Sequence, residues 1–377
     1  MMQVDKELIR WALQRSGQTA ESLAGRFPKI REWESGDAQP TLRQLESLAK
    51  KTWTPLGYFF LPKPPAEKLP IPDFRTKDDA PVRRPSPNLI ETLHSMQRRQ
   101  SWLQEFLKDE GHEPLSFVGS ASIREDPNAV AGRIRKTMGM DSGWASRHDS
   151  WSDALRAFRE TSESLGILVV INGVVGNSNG RKLDTEEFQG FVLTDALAPL
   201  VFVNGADYRS AQMFTLAHEI AHLWIGQAGL FRLPHMQPSH HAVEQFCNQV
   251  AAEVLVPAVE LKSAWPHERE DAEPFQALAR RFRVSAIVAA RRALDLGLID
   301  RARFFEFWDA YLIDERRRKG SSTGGNFYLT QNVRVGRRFA RIVARAARED
   351  RLLYRDAYHL TGLNGATFDR YMKHVGA

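Results

Sequence analysis

The sequence predicts an α+β protein in which a small sheet sits inside an otherwise helical chain. Apolar residues recur at helical spacing near the N-terminus (Leu8, Trp11, Ala12; Leu42, Leu45, Leu48, Ala49), and helical patterning returns from Ser210 onward. Between those regions, over about 166–204, the period changes. "GILVVING" and "GFVLTDALAPLVFVNG" alternate or run apolar between Gly, Asn and Asp, as strands do. With 377 residues, 42% of them hydrophobic, the chain has material for two or three packed units.

Residues 1–62 read as several short helices, with Thr19 and Thr41 placed as N-caps. Proline then breaks the pattern: "LPKPPAEKLPIPDFR" and "APVRRPSPN" make 63–88 a linker in which a helix cannot continue. A mixed domain is expected over 89–300. It opens with a long amphipathic helix from Asn88 to Glu110, continues with helices near 125–138 and 149–164, and reaches three strands within 166–204. Helices with loops then run to the end, broken by the low-complexity stretch "RRRKGSSTGGN" near 316–326.

The formal charge of +6 is unevenly placed. Residues 301–377 hold 16 Lys and Arg against 8 Asp and Glu, so the preceding 300 residues are slightly acidic. A basic helical region at 301–377 can neutralise phosphates, making DNA a possible partner; a solvated helix surface looks the same. One cysteine, Cys247, excludes an internal disulfide. No apolar run approaches the ~20 residues of a membrane helix, and the N-terminus lacks a signal-peptide pattern, so a cytoplasmic location is expected.

The most informative stretch is "FTLAHEIAHLW", Phe214 to Trp224. At about 100° per residue, His222 lies about 40°, Thr215 about 60° and Glu219 about 100° from His218, and apolar residues fill the rest of the wheel. The polar patch is narrow and its continuations along the axis, Ala211 and Gly226, are small, which suits a cleft. Two imidazoles at i and i+4 reach one ion at the ~2.0–2.1 Å Zn–N distance, and the glutamate between them faces the same space without binding. Two incidental core histidines are the plain alternative; the pattern arises by chance in a chain of this His content roughly 2% of the time.

A zinc peptidase needs a third protein ligand and an open position. A third histidine soon after the second is excluded, because Ile225 and Ala228 occupy the places where a metzincin has glycine and histidine. The next candidate is Glu244, at the start of "HAVEQFCNQVAAEVLVP", whose Val243, Phe246, Val250, Ala251, Val254 and Leu255 form a core-facing stripe. Glu253, nine positions on, points about 180° away. His235, His240 and His241 on the intervening loop stay open as ligands or oxyanion partners, with solvated loop histidines as the simpler interpretation.

"FVNGADYRSAQMFTLAHEIAHLWIG" followed by "VEQFCNQVAAEVLVP" resembles the ImmA/IrrE family of bacterial zinc metallopeptidases, closely over about residues 165–300. The resemblance implies a zincin-like core of a small sheet plus the His-Glu-x-x-His helix, flanked by helical modules. It makes His218, His222 and Glu244 the ligands of Zn2+, with Mn2+ or another divalent ion as alternatives, and Glu219 the catalytic acid/base. It also implies a protein substrate, a helix-turn-helix repressor of Xre type, whose cleavage releases stress-response, phage or mobile-element genes. Asn248, one turn after Glu244, is placed to steady the site by hydrogen bonding, or to pack. The strand near "GFVLTD" or "LVFVNG" could accept an extended substrate along a free edge.

Two further segments resemble helix-turn-helix units. Residues 1–62 are similar to an Xre-type module, with Trp33, Glu34, Ser35 and Gly36 followed by Pro40 and Thr41, but only nine steps separate Ala24 from Trp33. The start of a recognition helix is thus cut short, which favours protein binding over base reading. Within the peptidase domain, 275–299 has the spacing of a second such unit, with Arg291 and Arg292 as possible DNA contacts. A DNA-binding regulator with a structural or vestigial metal site, and a defence or sensor protease with another target, are therefore the competing functions.

Overall fold

The computed structural model describes residues 4–67, 69, 71, 84–231, 241–317 and 327–376. The chain divides into two compact units, 1–70 with 77–94 and 71–76 with 95–377. Most of the linker expected at 63–88, most of the loop near 316–326, and both His235 and His240 lie outside the described residues. Among the described residues no helix is long and apolar enough to cross a membrane.

The first unit packs α1 (Lys6–Arg15), α2 (Ala20–Leu23), α3 (Ile30–Ser35), α4 (Leu42–Thr52) and a 3-10 turn at Leu56–Phe60. Thr19 and Thr41 each close a reciprocal cap, with Ser22 and Gln44 as partners, so orphan amides at both helix starts are satisfied locally. Leu8, Ile9, Ile30, Trp33, Leu48 and Phe59 form its core. Arg15 Nε reaches both Glu67 carboxylate oxygens at 2.9 and 2.8 Å. With six residues, α3 is about 9 Å long, and its exposed Arg31 pairs with Glu21.

α5 (Pro87–Asp109) belongs to the first unit as far as His94 and to the second from Ser95. α6 (Pro127–Thr137) and α7 (Trp151–Ser164) precede strands β1 (Leu168–Asn172), β2 (Gly190–Leu193) and β3 (Leu200–Asn204). α8 (Arg209–Ile225) carries both histidines, and a fourth strand, β4 (Gly229–Phe231), follows it. The expected loop after α8 thus contains a strand that three residues were too few to announce by period. α9 (Ala242–Leu255), α10 (Ala258–Glu268), α11 (Pro274–Phe282), α12 (Ala286–Asp295) and α13 (Arg301–Arg317) come next. α14 (Phe327–Gln331) passes through a π-helical turn, Asn332–Gly336, into α15 (Arg337–Arg348), α16 (Tyr354–Thr361) and α17 (Gly365–His374).

The sheet order is β1-β3-β2-β4, with β1 parallel to β3 and both other pairings antiparallel. This corrects one expectation: the strands at "GFVL" and "LVFVN" are both interior, so neither has a free edge for substrate. Val169, Ile171, Val192, Val201 and Val203 join α7, α8 and α9 in one core, and that core extends through α11 and α12. The two helices at 275–299 are therefore packed elements of the same core as the sheet.

The outer edge of β1 is covered from far along the chain. The π-helical turn packs against it, and a Cβ at Gly336 would stand 2.9 Å from Leu168 Cδ1. Wide turns leave carbonyls short of regular partners, and here two buried arginines supply them. Arg159 donates to Asn332 O at 3.2 Å and Arg99 to Arg334 O at 2.9 Å. Arg159 also pairs with buried Glu163, whose carboxyl burial pushes up to about 7 against the pull of that guanidinium. Covering an edge this way removes a template for unwanted strand pairing.

Gly336 has φ 86°, a conformation that side chains resist. Gly336→Ala is expected to cost about 1–3 kcal/mol of stability, measured by denaturant unfolding, through loosening of the β1 edge.

Candidate metal centre

From Gln212 to Ile225, α8 is buried. The sheet lies along one side of it and α7 and α9 along others. Its C-terminal end is held fast. Gly226 takes the left-handed conformation (φ 69°), and the carbonyls of Leu223 and Trp224 accept from the amides of Gly119 and Ala121 at 2.9 and 2.8 Å. Phe117 stacks on Trp224 with ring centroids 4.4 Å apart. These contacts fix the rotation of α8 about its axis, and with it the direction of the two histidines.

His218 and His222 meet Glu244 from the first turn of α9, where a helix N-terminus favours a carboxylate. His218 Nε2 lies 3.1 Å from Glu244 Oε2, His222 Nε2 lies 3.1 Å from Glu244 Oε1, and the two Nε2 atoms are 3.1 Å apart. A tetrahedral ion with bonds of the length found in zinc sites separates its ligand atoms by about 3.3 Å, so the spacing fits one small ion. The three groups could hold a metal ion. His218, Glu219, His222 and Glu244 are 0, 0, 1 and 3% exposed, which puts the polar patch of α8 in the interior and not on an open cleft.

Glu219 sits beside this cluster with neither carboxylate oxygen hydrogen-bonded among the described residues. Burying a carboxyl without partners is costly, so the site suits a polar ligand that brings its own donors. Room for the side chain comes from Gly190 on β2: a Cβ there would lie 2.8 Å from Glu219 Oε1, 2.6 Å from Thr215 Cγ2 and 2.9 Å from Phe202 O. Gly190 escaped notice in the sequence, although a glycine opening a strand does signal close approach by another element. Phe231 of β4, which stacks on His218 at 3.7 Å, had no such signal.

Burial favours the neutral forms of His218 and Glu219. The first is pulled below, and the second pushed well above, its ordinary value; the negative charge of Glu244 adds to the rise at Glu219. For Glu244, burial is the largest influence and acts upward, but the two imidazoles together overcome it and hold the carboxyl at about 2. His218 and Glu244 are thus in ligand form at neutral pH, an unprotonated imidazole and an ionised carboxylate. Cys247 is buried next in line, its thiol pushed up by burial and by both glutamates, which leaves it a packing residue.

Asn248 lies close enough to His218 to favour the charged ring. No hydrogen bond closes between them, since Asn248 Oδ1 and His218 Nδ1 both lack a partner among the described residues. His241 is the exposed N-cap residue of α9 and stands outside the cluster. Glu253 faces away, as its helical angle requires: it accepts from Ala258 N and pairs with Arg292. Arg292 is therefore turned inward, buried, and also bonded to Val256 O at 3.1 Å. That placement runs against the DNA contact expected of it. Arg291, half-buried, pairs with Asp295 at 2.9 Å.

Residues 162–294 match the Peptidase M78 family, an IrrE N-terminal-like domain. The M78 match spans the whole sheet, α8, α9 and the α11–α12 pair, and it supports a peptidase of the ImmA/IrrE kind on an α+β, zincin-like core flanked by helices. Residues 335–374 match a second family, a domain of unknown function, DUF8813. No curated protein and no solved structure matches the chain.

Two outcomes follow. A Cβ at residue 190 would force α8 away from β2, so Gly190→Ala should lose about 1–3 kcal/mol of stability together with metal affinity, read by thermal melting and metal titration. The carboxyl of Glu219 is raised on folding, so the stability it contributes is complete below the ordinary value of 4.5 and lost as pH climbs through its folded value. In chelator, Glu219→Gln should therefore gain melting temperature over the parent, with the gap wider at pH 8 than at pH 5.

Proposed function

We propose that the chain is a metal-dependent endopeptidase whose substrate is a protein, with a helix-turn-helix repressor as the target class. The observation that carries this is the convergence of His218 Nε2, His222 Nε2 and the Glu244 carboxylate within 3.1 Å contacts of one another, beside a Glu219 whose carboxylate has no hydrogen-bond partner among the described residues. The donor set of two nitrogens and one carboxylate suits zinc, with manganese or another divalent ion as the alternative. Bound there, such an ion supplies Lewis acidity, which polarises a peptide carbonyl and makes water a nucleophile near neutral pH.

The protein's own groups do the proton work. Glu219 takes a proton from the attacking water and delivers it to the departing amine nitrogen; burial holds its carboxyl well above the ordinary value, and the positive charge of an ion held beside it would favour the ionised form that accepts the proton. Gly190 keeps the space beside that carboxyl open. Phe231 braces the His218 ring by stacking, so the imidazole keeps its direction while a substrate enters. The outer edge of β4, which pairs with no strand among the described residues, replaces the interior strands as the place for an extended peptide to align. Residues 1–62, with their short α3, fit a role in binding protein.

Glu219→Gln should retain about one equivalent of metal and lose cleavage of a repressor encoded beside its gene by about 10²–10⁴-fold. Metal content is read on the purified proteins and cleavage by peptide mapping. A variant that keeps both metal and full activity removes Glu219 from the chemistry; loss of metal from His218→Ala without loss of cleavage removes the metal.

A further inference from the structure

We propose that α15–α17, in the segment matching a domain of unknown function, form a helix-turn-helix module that binds duplex DNA, with α17 as the helix presented to it. This goes beyond the peptidase reading and uses none of its residues.

Local geometry is the first ground. α16 has eight residues, the turn at 362–364 has three, and α17 has ten. Gly362 opens the turn in the left-handed conformation (φ 70°), as tight helix-turn-helix connections commonly require. Leu363 within the turn is buried, and with Ala357, Leu360, Phe368, Tyr371 and Met372 it makes the inner face. Tyr358 meets Phe368 edge to face at 5.2 Å. On the outer side of α17, Ala366, Asp369, Arg370 and Lys373 are all exposed. Their i, i+3, i+4, i+7 spacing places them on one face.

Charge is the second ground, and it is distributed by function. Residues 327–376 hold ten Lys and Arg against four Asp and Glu, a surplus of +6 that equals the formal charge of the entire chain. About half of these cations serve the packing of the module. Arg334 is bonded to Asn177 Oδ1, Arg338 to Gly166 O and Arg341 to Val375 O, while Arg345 and Arg351 share Glu110. The side chains of Arg348 and Lys373 make no hydrogen bond or ion pair among the described residues, and that of Arg370 is bonded there only through Nε, to Ala366 O. Arg348 and Lys373 flank an open groove of about 400 Å³ between α15, α16 and α17, which Tyr354, Phe368 and Asp369 also line.

Unpaired cations at the margins of an exposed helix face are what phosphate contact needs. A lone carboxylate on that face would repel phosphate, yet it can accept from a cytosine amino group if it points at base edges. The other two helix pairs of this kind lack such a face. α12 is buried in the peptidase core with Arg292 directed inward, and α3 is six residues long with its Arg31 already paired.

The test titrates the full-length protein against a fluorescent random-sequence duplex of about 30 base pairs between about 50 and 200 mM salt. Binding should weaken steeply with salt. Arg370→Ala with Lys373→Ala should lower affinity at least tenfold and flatten the log–log salt slope by about two, near −0.9 for each phosphate contact removed. Both positions are exposed, and an unchanged melting temperature verifies the fold. Glu219→Gln should bind DNA as the parent does. Absence of binding at the lowest salt overturns the proposal, and so does binding that the double variant leaves intact. Equal binding of polyglutamate, lost in the same variant, overturns it in favour of an acidic protein partner.

Discussion

Four ionisable side chains are withdrawn from water on two adjacent helices, and the fold tolerates this because the Glu244 carboxylate lies 3.1 Å from both imidazole Nε2 atoms. An isolated carboxylate in that position would cost several kcal/mol. Against two imidazoles, Glu244 is held at about 2 despite its burial. The requirement propagates outward. α9 must bring its first turn to α8, α8 must not rotate, and β2 must yield space where α8 leans on it. The bonds from Gly119 and Ala121 to the end of α8, and the missing Cβ of Gly190, meet the last two conditions. Glu219 is left without a hydrogen-bond partner among the described residues, and a buried carboxyl in that state beside a set of three metal-ligating side chains is the usual mark of a reacting group.

Much of this arrangement was legible in the sequence wherever the signal was local. The i, i+4 spacing of His218 and His222, the caps at Thr19 and Thr41, and the change of period at 166–204 each follow from a few neighbouring residues. Glu244 was legible as a candidate because a helix start and a loop length could be read from its surroundings. Signals that depend on distant partners were not legible. Arg292 looks like a solvent-facing base until Glu253, 39 positions earlier, is seen to meet it. The two inner strands could not be told from edges, since one neighbour, β4, is three residues long and the cover of β1 comes from beyond residue 330.

The two ends of the sheet are treated differently, and the difference separates support from access. β1 is sealed by a π-helical turn with buried arginines serving its carbonyls, and the basic C-terminal module is joined to the peptidase fold through that seal. Asn177, beyond β1, donates to Gly362 O at 2.8 Å and accepts from Gln331 and Arg334. One asparagine therefore ties the loop after β1 both to the approach of the π-helical turn and to the turn between α16 and α17. Movement of that last turn would reach the loop after β1 without passing through the His218–His222–Glu244 cluster.

The cover of β1 also has a consequence for biosynthesis. About 160 positions separate Asn172 from Gly336, so at the usual pace of about 5–20 residues per second the strand leaves the ribosome roughly 10–30 s before its seal exists. Throughout that interval a strand with four apolar residues of five presents an unpaired edge in the nascent chain. The strands can pair once β4 has been made, but the cover of β1 can form only after residue 336. Production of the intact protein should therefore depend on chaperones that shield this strand, and slow stretches of message between codons 172 and 336 would lengthen its exposure.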